Sequence, residues 1–270
     1  MANLFSVKDK VIILTGGCGI LGSCMAKHLG EEGAKVVILD RNVAGGTQLV
    51  DEIISNQGEA MFLVTDVLDK DILIQNKQAI LEAYGRIDVL INLAGGNMAG
   101  ATIPPDKTFF DLDVEAFRKV VDLNLFGTVL PTMVFSEVMV SQGKGSIINI
   151  SSESALRPLT RVVGYGCAKA AISNFTQYMA GELAIKFGEG LRVNAIAPGF
   201  FLTEQNRALM TNPDGSPSDR CKTIIAHTPF RRLGEPEELL GSIQWLASDA
   251  SAFVTGTVIP IDGGFDAFAI

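Results

Sequence analysis

Histidine, tryptophan and tyrosine are scarce in this chain, at 2, 1 and 3 residues among 270. Two histidines, His28 and His227, leave few candidates for a zinc site or a Ser-His-Asp hydrolase. The four cysteines, Cys18, Cys24, Cys167 and Cys221, form no CxxC pair and have no histidine cluster beside them. They read as free thiols in a reducing compartment. Positive charge is in deficit: 22 Lys and Arg face 30 Asp and Glu, the net charge is −8 and the pI is near 4.9. That argues against a nucleic-acid or anionic-membrane partner, either of which needs a basic face. No apolar run is read as reaching the roughly 18–20 residues of a membrane span. Met1–Lys10 shows no basic segment followed by an apolar one, as a secretory leader would. The expectation is a cytoplasmic protein without a metal centre. What the chain has in plenty is apolar residues, at 47%, enough for the core of one α/β domain.

Short apolar runs alternate with helix-length segments. The runs are Val11–Leu14, Lys35–Leu39, Ala60–Val64, Val89–Asn92, Ser146–Ile150, Arg192–Ala197 and Thr257–Ile261. Most are continuously apolar, as strands covered on both faces must be. The segments between them predict helices at Leu21–Glu32, Ala44–Asn56, Lys70–Tyr84, Val114–Ser141, Tyr165–Phe187 and Pro236–Ala247. This alternation predicts a single-domain α/β Rossmann fold over 1–270, with a doubly wound, seven-stranded, mostly parallel sheet and helices on both faces. Two stretches, 95–113 and 198–235, interrupt the rhythm after strand carboxyl ends, where open α/β sheets bind ligands. They are the candidate substrate loops.

The first strand runs into Thr15-Gly16-Gly17-Cys18-Gly19-Ile20-Leu21-Gly22, in which Gly17, Gly19 and Gly22 fit GxGxxG. Glycines there let backbone approach a pyrophosphate at the start of a helix. Asp40 ends the second strand, 18 residues after Gly22, where an acid can hold both adenosine ribose hydroxyls and repel a 2′-phosphate. Position 18 is Cys rather than a base. Both features favour NAD over NADP, while Arg41 leaves a phosphate partner available.

Tyr165 and Lys169 stand four apart on a predicted helix and so share a face. Ser152 closes the fifth strand and Asn124 lies in Asp122-Leu123-Asn124-Leu125. With the glycine turn, Asp66-Val67, Asn92-Leu93-Ala94-Gly95, Arg192-Val193-Asn194 and Pro198-Gly199, these residues resemble the short-chain dehydrogenase/reductase family over essentially the whole chain. The glycine turn departs from the family's TGxxxGxG, since Ile20 stands at the middle glycine. The resemblance implies reversible hydride transfer between NAD(P) and an alcohol or carbonyl carbon. It implies a catalytic set of Asn124, Ser152, Tyr165 and Lys169. It also implies cofactor contacts from Gly16, Gly19, Leu21, Asp40, Asp66, Val67, Asn92, Ala94, Tyr165, Lys169, Pro198 and Thr203. A free phenol has a pKa of about 10, so Tyr165 needs a positive neighbour to act as a base, and Lys169 is that neighbour. Ser152 would hold the substrate oxygen, and Asn124 would place a water linking Lys169 to solvent. A non-catalytic nucleotide sensor would have no need of Tyr165 and Lys169 together.

Polar residues near the expected mouth are Asn97, Glu153, Arg157, Arg161, Gln205, Asn206, Arg207 and His227. Arginine clasps carboxylates and amides read hydroxyls, which points to a polyhydroxylated acid, with Asn97, Arg157, Arg207 and His227 as the substrate set. Phe200–Arg207, Ala226–Pro229 and Gly95–Asn97 resemble the sugar-acid branch of the family, the D-mannonate oxidoreductases (fructuronate reductases). Gluconate 5-dehydrogenases and NADPH-linked carbonyl reductases are the alternatives. The resemblance further implies a homotetramer, and the apolar end Phe265–Ile270 is expected at a subunit contact.

Overall fold

The computed structural model describes residues 3–267, apart from the side chains at 204, 205 and 208. Seven parallel strands run in the order β3-β2-β1-β4-β5-β6-β7: β1 (Val11–Thr15), β2 (Lys35–Asp40), β3 (Glu59–Val64), β4 (Val89–Asn92), β5 (Gly145–Ile150), β6 (Leu191–Pro198) and β7 (Val258–Ile261). The order reverses between β1 and β4, which opens a crevice at their carboxyl ends.

Alternation along each strand divides the core into two layers. Ile12, Leu14, Val36, Ile38, Ile91 and Ile148 face one side. They pack on α1 (Ile20–Glu31), α2 (Val43–Ser55) and a late helix, Leu240–Ala247. Val11, Ile13, Val37, Leu39, Leu90 and Ile147 face the other. Their partners are α3 (Lys70–Tyr84), the helix Gly127–Gln142 and the helix Val163–Phe187. Period-2 alternation in strands whose two faces are both apolar is what makes the runs continuous in sequence.

The long fourth helix of the sequence reading is three pieces: α4 (Val114–Val121), a π-helical turn (Asp122–Phe126) and α5 (Gly127–Gln142). One wider turn leaves the apolar periodicity nearly intact, so the sequence shows no break. By length and composition the continuous stretch Val114–Gln142, with mean hydropathy 1.5, would pass for a membrane span, which corrects the earlier reading. Half of its most apolar window is buried on this fold, with Phe135 and Met139 fully inside.

Ser152 caps the short helix α6 (Glu153–Leu156), and α7 (Val163–Phe187) starts two residues before Tyr165. The second candidate loop carries its own helices, α8 (Glu204–Met210) and α9 (Asp219–His227), before a single 3-10 turn leads into α10 (Leu240–Ala247). Phe265 packs edge-on against Phe200 and His227 of its own chain, with ring centroids 5.0 Å apart in each pair. The rest of the expected contact segment, 268–270, lies outside the described residues.

Phe135 is fully buried among the side chains of α3, β4 and α7. Phe135→Ala should lower stability by about 3–5 kcal/mol, read from the urea midpoint at constant slope.

Candidate active site

Gly16 turns the chain with φ +65°, and a Cβ there would lie 2.7 Å from Ala94 Cα. The β1 and β4 ends are therefore in contact, and Thr15 Oγ1 locks them by accepting from the Leu93 and Ala94 N–H groups at 3.1 and 3.2 Å. Gly22 lets α1 cross the turn, since its Cβ would fall 2.8 Å from the Gly16 carbonyl. Gly19 is different. A Cβ there meets nothing nearer than 3.6 Å, so protein packing does not demand glycine. Its bare backbone instead borders a cleft of about 540 Å³ lined by Gly16, Leu21, Asp40, Asp66, Val67 and Ala94. The cleft has the backbone-lined cradle and the acid at β2 that a dinucleotide requires, so these residues fit NAD(P).

Asp40 is fixed from both sides: Oδ2 accepts from Cys18 N–H and Oδ1 from Asn42 N–H, each at 3.0 Å. Burial and the Asp40 carboxylate push the Cys18 thiol up to about 12, so position 18 is neutral. Arg41 reaches Asp66, at 3.9 Å.

At the far end of the cleft, Lys169 is 4% exposed and donates to the Ile150 carbonyl at 2.7 Å. Its ammonium lies 5.5 Å from the Tyr165 ring centroid. Burial drives both groups toward neutrality: it raises the Tyr165 phenol and lowers Lys169 to about 7. The interaction with Ser152 acts the other way on Tyr165, favouring the phenolate. Ser152 Oγ accepts from Ser154 N–H and Oγ at 3.2 and 3.1 Å, which leaves its own proton to donate.

Asn124 sits within the π-helical turn and is fully buried. Its Nδ2 donates to the Gly96 and Val120 carbonyls at 2.7 and 2.8 Å, and Oδ1 accepts from Gly96 N–H at 3.1 Å. The side chain thus clamps the Gly95–Gly96 backbone beside Lys169. A Cβ on Gly95 would lie 2.6 Å from Asn124 Oδ1 and 3.5 Å from Lys169 Nζ.

A second cavity of about 190 Å³ adjoins the cleft, and Tyr165, Thr203, Leu21 and Ile150 line both. Ser152, Asn97, Pro198 and Asn206 line this smaller pocket. Thr203 is also the N-cap residue of α8, where its N–H donates to Asn206 Oδ1 at 2.8 Å.

Other residues fall elsewhere. Asn92, expected at the cofactor, is 2% exposed inside the sheet and donates to Thr132 and Asn149, each at 2.9 Å. Arg157, expected at the substrate, turns to the C-terminal segment and pairs with Asp266 at 2.7 Å. His227 packs edge-on against Phe265, and Arg207 lies exposed on α8; neither lines the pocket. Their positions along the chain place them near the mouth, but side-chain direction within a loop leaves no periodic trace. Arg220 on α9 does line the pocket and was missed, because nothing in the sequence marks it.

The cleft, the small pocket and the Ser152–Tyr165–Lys169 set at their junction define a nicotinamide-dependent oxidoreductase. Comparison with known proteins gives the family. The model described as Enoyl-(Acyl carrier protein) reductase matches residues 19–266. An uncharacterized oxidoreductase of Bacillus subtilis, UxuB, is 44% identical, over 98% of this chain and 97% of its own length. The crystal structure of a "putative D-Mannonate oxidoreductase" from Haemophilus influenza, with bound NAD, is 41% identical and covers 99% of each chain at a TM-score of 0.91. That of a gluconate 5-dehydrogenase from Burkholderia cenocepacia, in complex with NADP and tartrate, is 28% identical over 98% of each chain at a TM-score of 0.87. This chain belongs to the short-chain dehydrogenase/reductase family and is an NAD(P)-dependent oxidoreductase acting on alcohol groups.

One buried acid beside Ser152 has a measurable consequence. Glu153 is 1% exposed and neither carboxyl oxygen has a hydrogen-bond partner. Burial, then Asp262 and Asp266, push it up to about 8, with Arg157 opposing. An acid raised in the folded state stabilises fully below its unfolded pKa of about 4.5, and that contribution is lost as pH rises through about 8. Glu153→Gln should therefore flatten the fall in stability between pH 5 and 9. Measured by urea unfolding, it should exceed the wild type by roughly 1–3 kcal/mol at pH 9, with the gap closing toward pH 5.

Proposed function

We propose that this protein is an NAD-linked sugar-acid oxidoreductase that interconverts D-fructuronate and D-mannonate. The observation that carries the reaction type is the meeting of two cavities at Tyr165, one with a nucleotide cradle and one small and closed in by α8 and α9. A pocket of about 190 Å³ suits a small metabolite rather than a long acyl chain or a steroid. The NAD-bound relative supports the sugar-acid assignment.

The bound nicotinamide supplies the hydride donor or acceptor. Tyr165 gives a proton to the carbonyl oxygen in reduction and takes the hydroxyl proton in oxidation. Ser152 donates to the same oxygen and stabilises the charge that develops there. Lys169, held by the Ile150 carbonyl, provides the positive charge that favours the Tyr165 phenolate. Asn124 keeps the Gly95–Gly96 backbone from shifting into Lys169.

The NAD preference rests on the fixed Asp40 carboxylate, the neutral Cys18 thiol and the turn of Arg41 toward Asp66. The small-molecule enzyme is further proposed to work as a homotetramer. Tyr178, Ile185 and Phe187 are exposed on the last turns of α7, and Phe253 is exposed just before the edge strand β7. Such apolar surface supports pairing between copies.

The test is turnover of D-fructuronate, 5-ketogluconate and neutral ketoses with NADH and with NADPH, alongside a light-scattering mass. NADH-linked reduction of fructuronate by a four-chain particle is expected, lost by about 10²–10⁴-fold in Tyr165→Phe. Asp40→Ser should reduce the NADH-over-NADPH preference about tenfold or more, since it removes a charge that would stand beside the 2′-phosphate. Activity confined to hydrophobic ketones would overturn the substrate assignment.

A further inference from the structure

Arg220 is the one charged side chain among the described residues lining the small pocket. It projects from the first turn of α9 and is clamped across the pocket mouth, Nη1 donating to Thr160 Oγ1 at 2.9 Å and Nη2 to the Thr160 carbonyl at 3.2 Å. A guanidinium has five N–H donors, so donors remain after this clamp. No carboxylate of the described residues pairs with it; its neighbour Asp219 is taken by Lys222 at 3.1 Å. Arg157, by contrast, is already neutralised by Asp266.

A second guanidinium stands close by. Arg161 follows Thr160 and is held in left-handed backbone, with φ +76°, while its carbonyl accepts from Ile103 N–H at 3.0 Å. Partial burial, and after it the like charge of Arg161, disfavour the charged form of Arg220. Arg220 thus borders the pocket with a like charge in its surroundings and no carboxylate partner among the described residues, an arrangement that an incoming anion relieves.

Asn97, which lines the same pocket, carries an unmatched acceptor. Asn97 Oδ1 is buried without a hydrogen-bond partner. Thr102 Oγ1 donates to the Met98 carbonyl at 3.2 Å and accepts from Asn97 Nδ2, also at 3.2 Å. Oδ1 is left for a donor brought by the ligand.

We propose that Arg220, supported by Arg161, binds the carboxylate of the substrate while Asn97 Oδ1 accepts a hydrogen bond from one of its hydroxyls. The two groups make the pocket selective for hydroxy acids over neutral polyols. This rests on the pocket being the substrate site of the oxidoreductase proposed above, and it names the residues that set its specificity.

Two measurements separate the ideas. The first is calorimetric binding of D-mannonate and of D-mannitol to the protein with NADH present. The second is kcat/KM for D-fructuronate and D-fructose. Both are made on wild type, Arg220→Gln, Arg220→Lys and Arg161→Gln, with NADH binding as the check that each variant is folded. Arg220→Gln should weaken mannonate binding by roughly 10- to 100-fold relative to its effect on mannitol, and the loss on fructuronate should appear mainly in KM. Arg220→Lys should recover part of the preference, and Arg161→Gln should show a smaller loss of the same sign. A merely structural role for Arg220 would depress acid and neutral ligands alike. A preference for mannonate that is absent in wild type, or undiminished in Arg220→Gln, overturns the carboxylate site. If the carboxylate preference depends on Arg220 but no sugar acid is turned over, the site stands and the reaction assigned above falls.

Discussion

Lys169 places a primary amine almost wholly out of water, 2.7 Å from the Ile150 carbonyl at the end of β5. Burying such a group is costly unless its charge is shared, and here the sharing fixes positions. β5 must end at Ile150, α7 must present Lys169 one turn beyond Tyr165, and position 95 must stay bare of a side chain. Asn124 enforces the last condition from a π-helical turn, a departure from regular helix of the kind that tends to occur at functional sites. The junction of Ser152, Tyr165 and Lys169 is thus a consequence of satisfying one buried amine and the backbone around it.

The same logic of unmatched groups extends outward. In the cleft, Asp40 has both oxygens held by backbone N–H groups and Cys18 is neutral. In the smaller pocket, polar groups are left unmatched. Asn97 Oδ1 lacks a donor and Arg220 pairs with no carboxylate of the described residues, and both side chains line the pocket that Ser152 and Tyr165 share. Interiors with few unsatisfied groups make such exceptions informative about what binds there.

Strand positions, the parallel order and the doubly wound layers were legible because each depends on apolar periodicity and on turn chemistry, which are local. That Tyr165 and Lys169 share a face was legible from their spacing on a helix, and the resemblance to the family joined Ser152 to them. The break at Asp122–Phe126 was not, since one wider turn barely disturbs the pattern of Val114–Gln142. Asn92 was expected at the cofactor from the resemblance, yet its side chain turns to Asn149 and Thr132. Arg157 and Arg220 lie on equally polar stretches. Which one faces the pocket is decided by Asp266, contributed from the far end of the chain, and no local pattern carries that information.

The most direct test of the account is a difference-absorbance titration of Tyr165, one of only three tyrosines, with Tyr165→Phe subtracted. Burial should hold the free protein's Tyr165 above the ordinary phenol value, and saturating NAD⁺ should bring it down by about a unit or more in wild type but not in Lys169→Met. A phenol that ionises at its ordinary value in the free protein, or a downward shift that survives in Lys169→Met, would contradict the claim that the buried amine governs the proton at Tyr165.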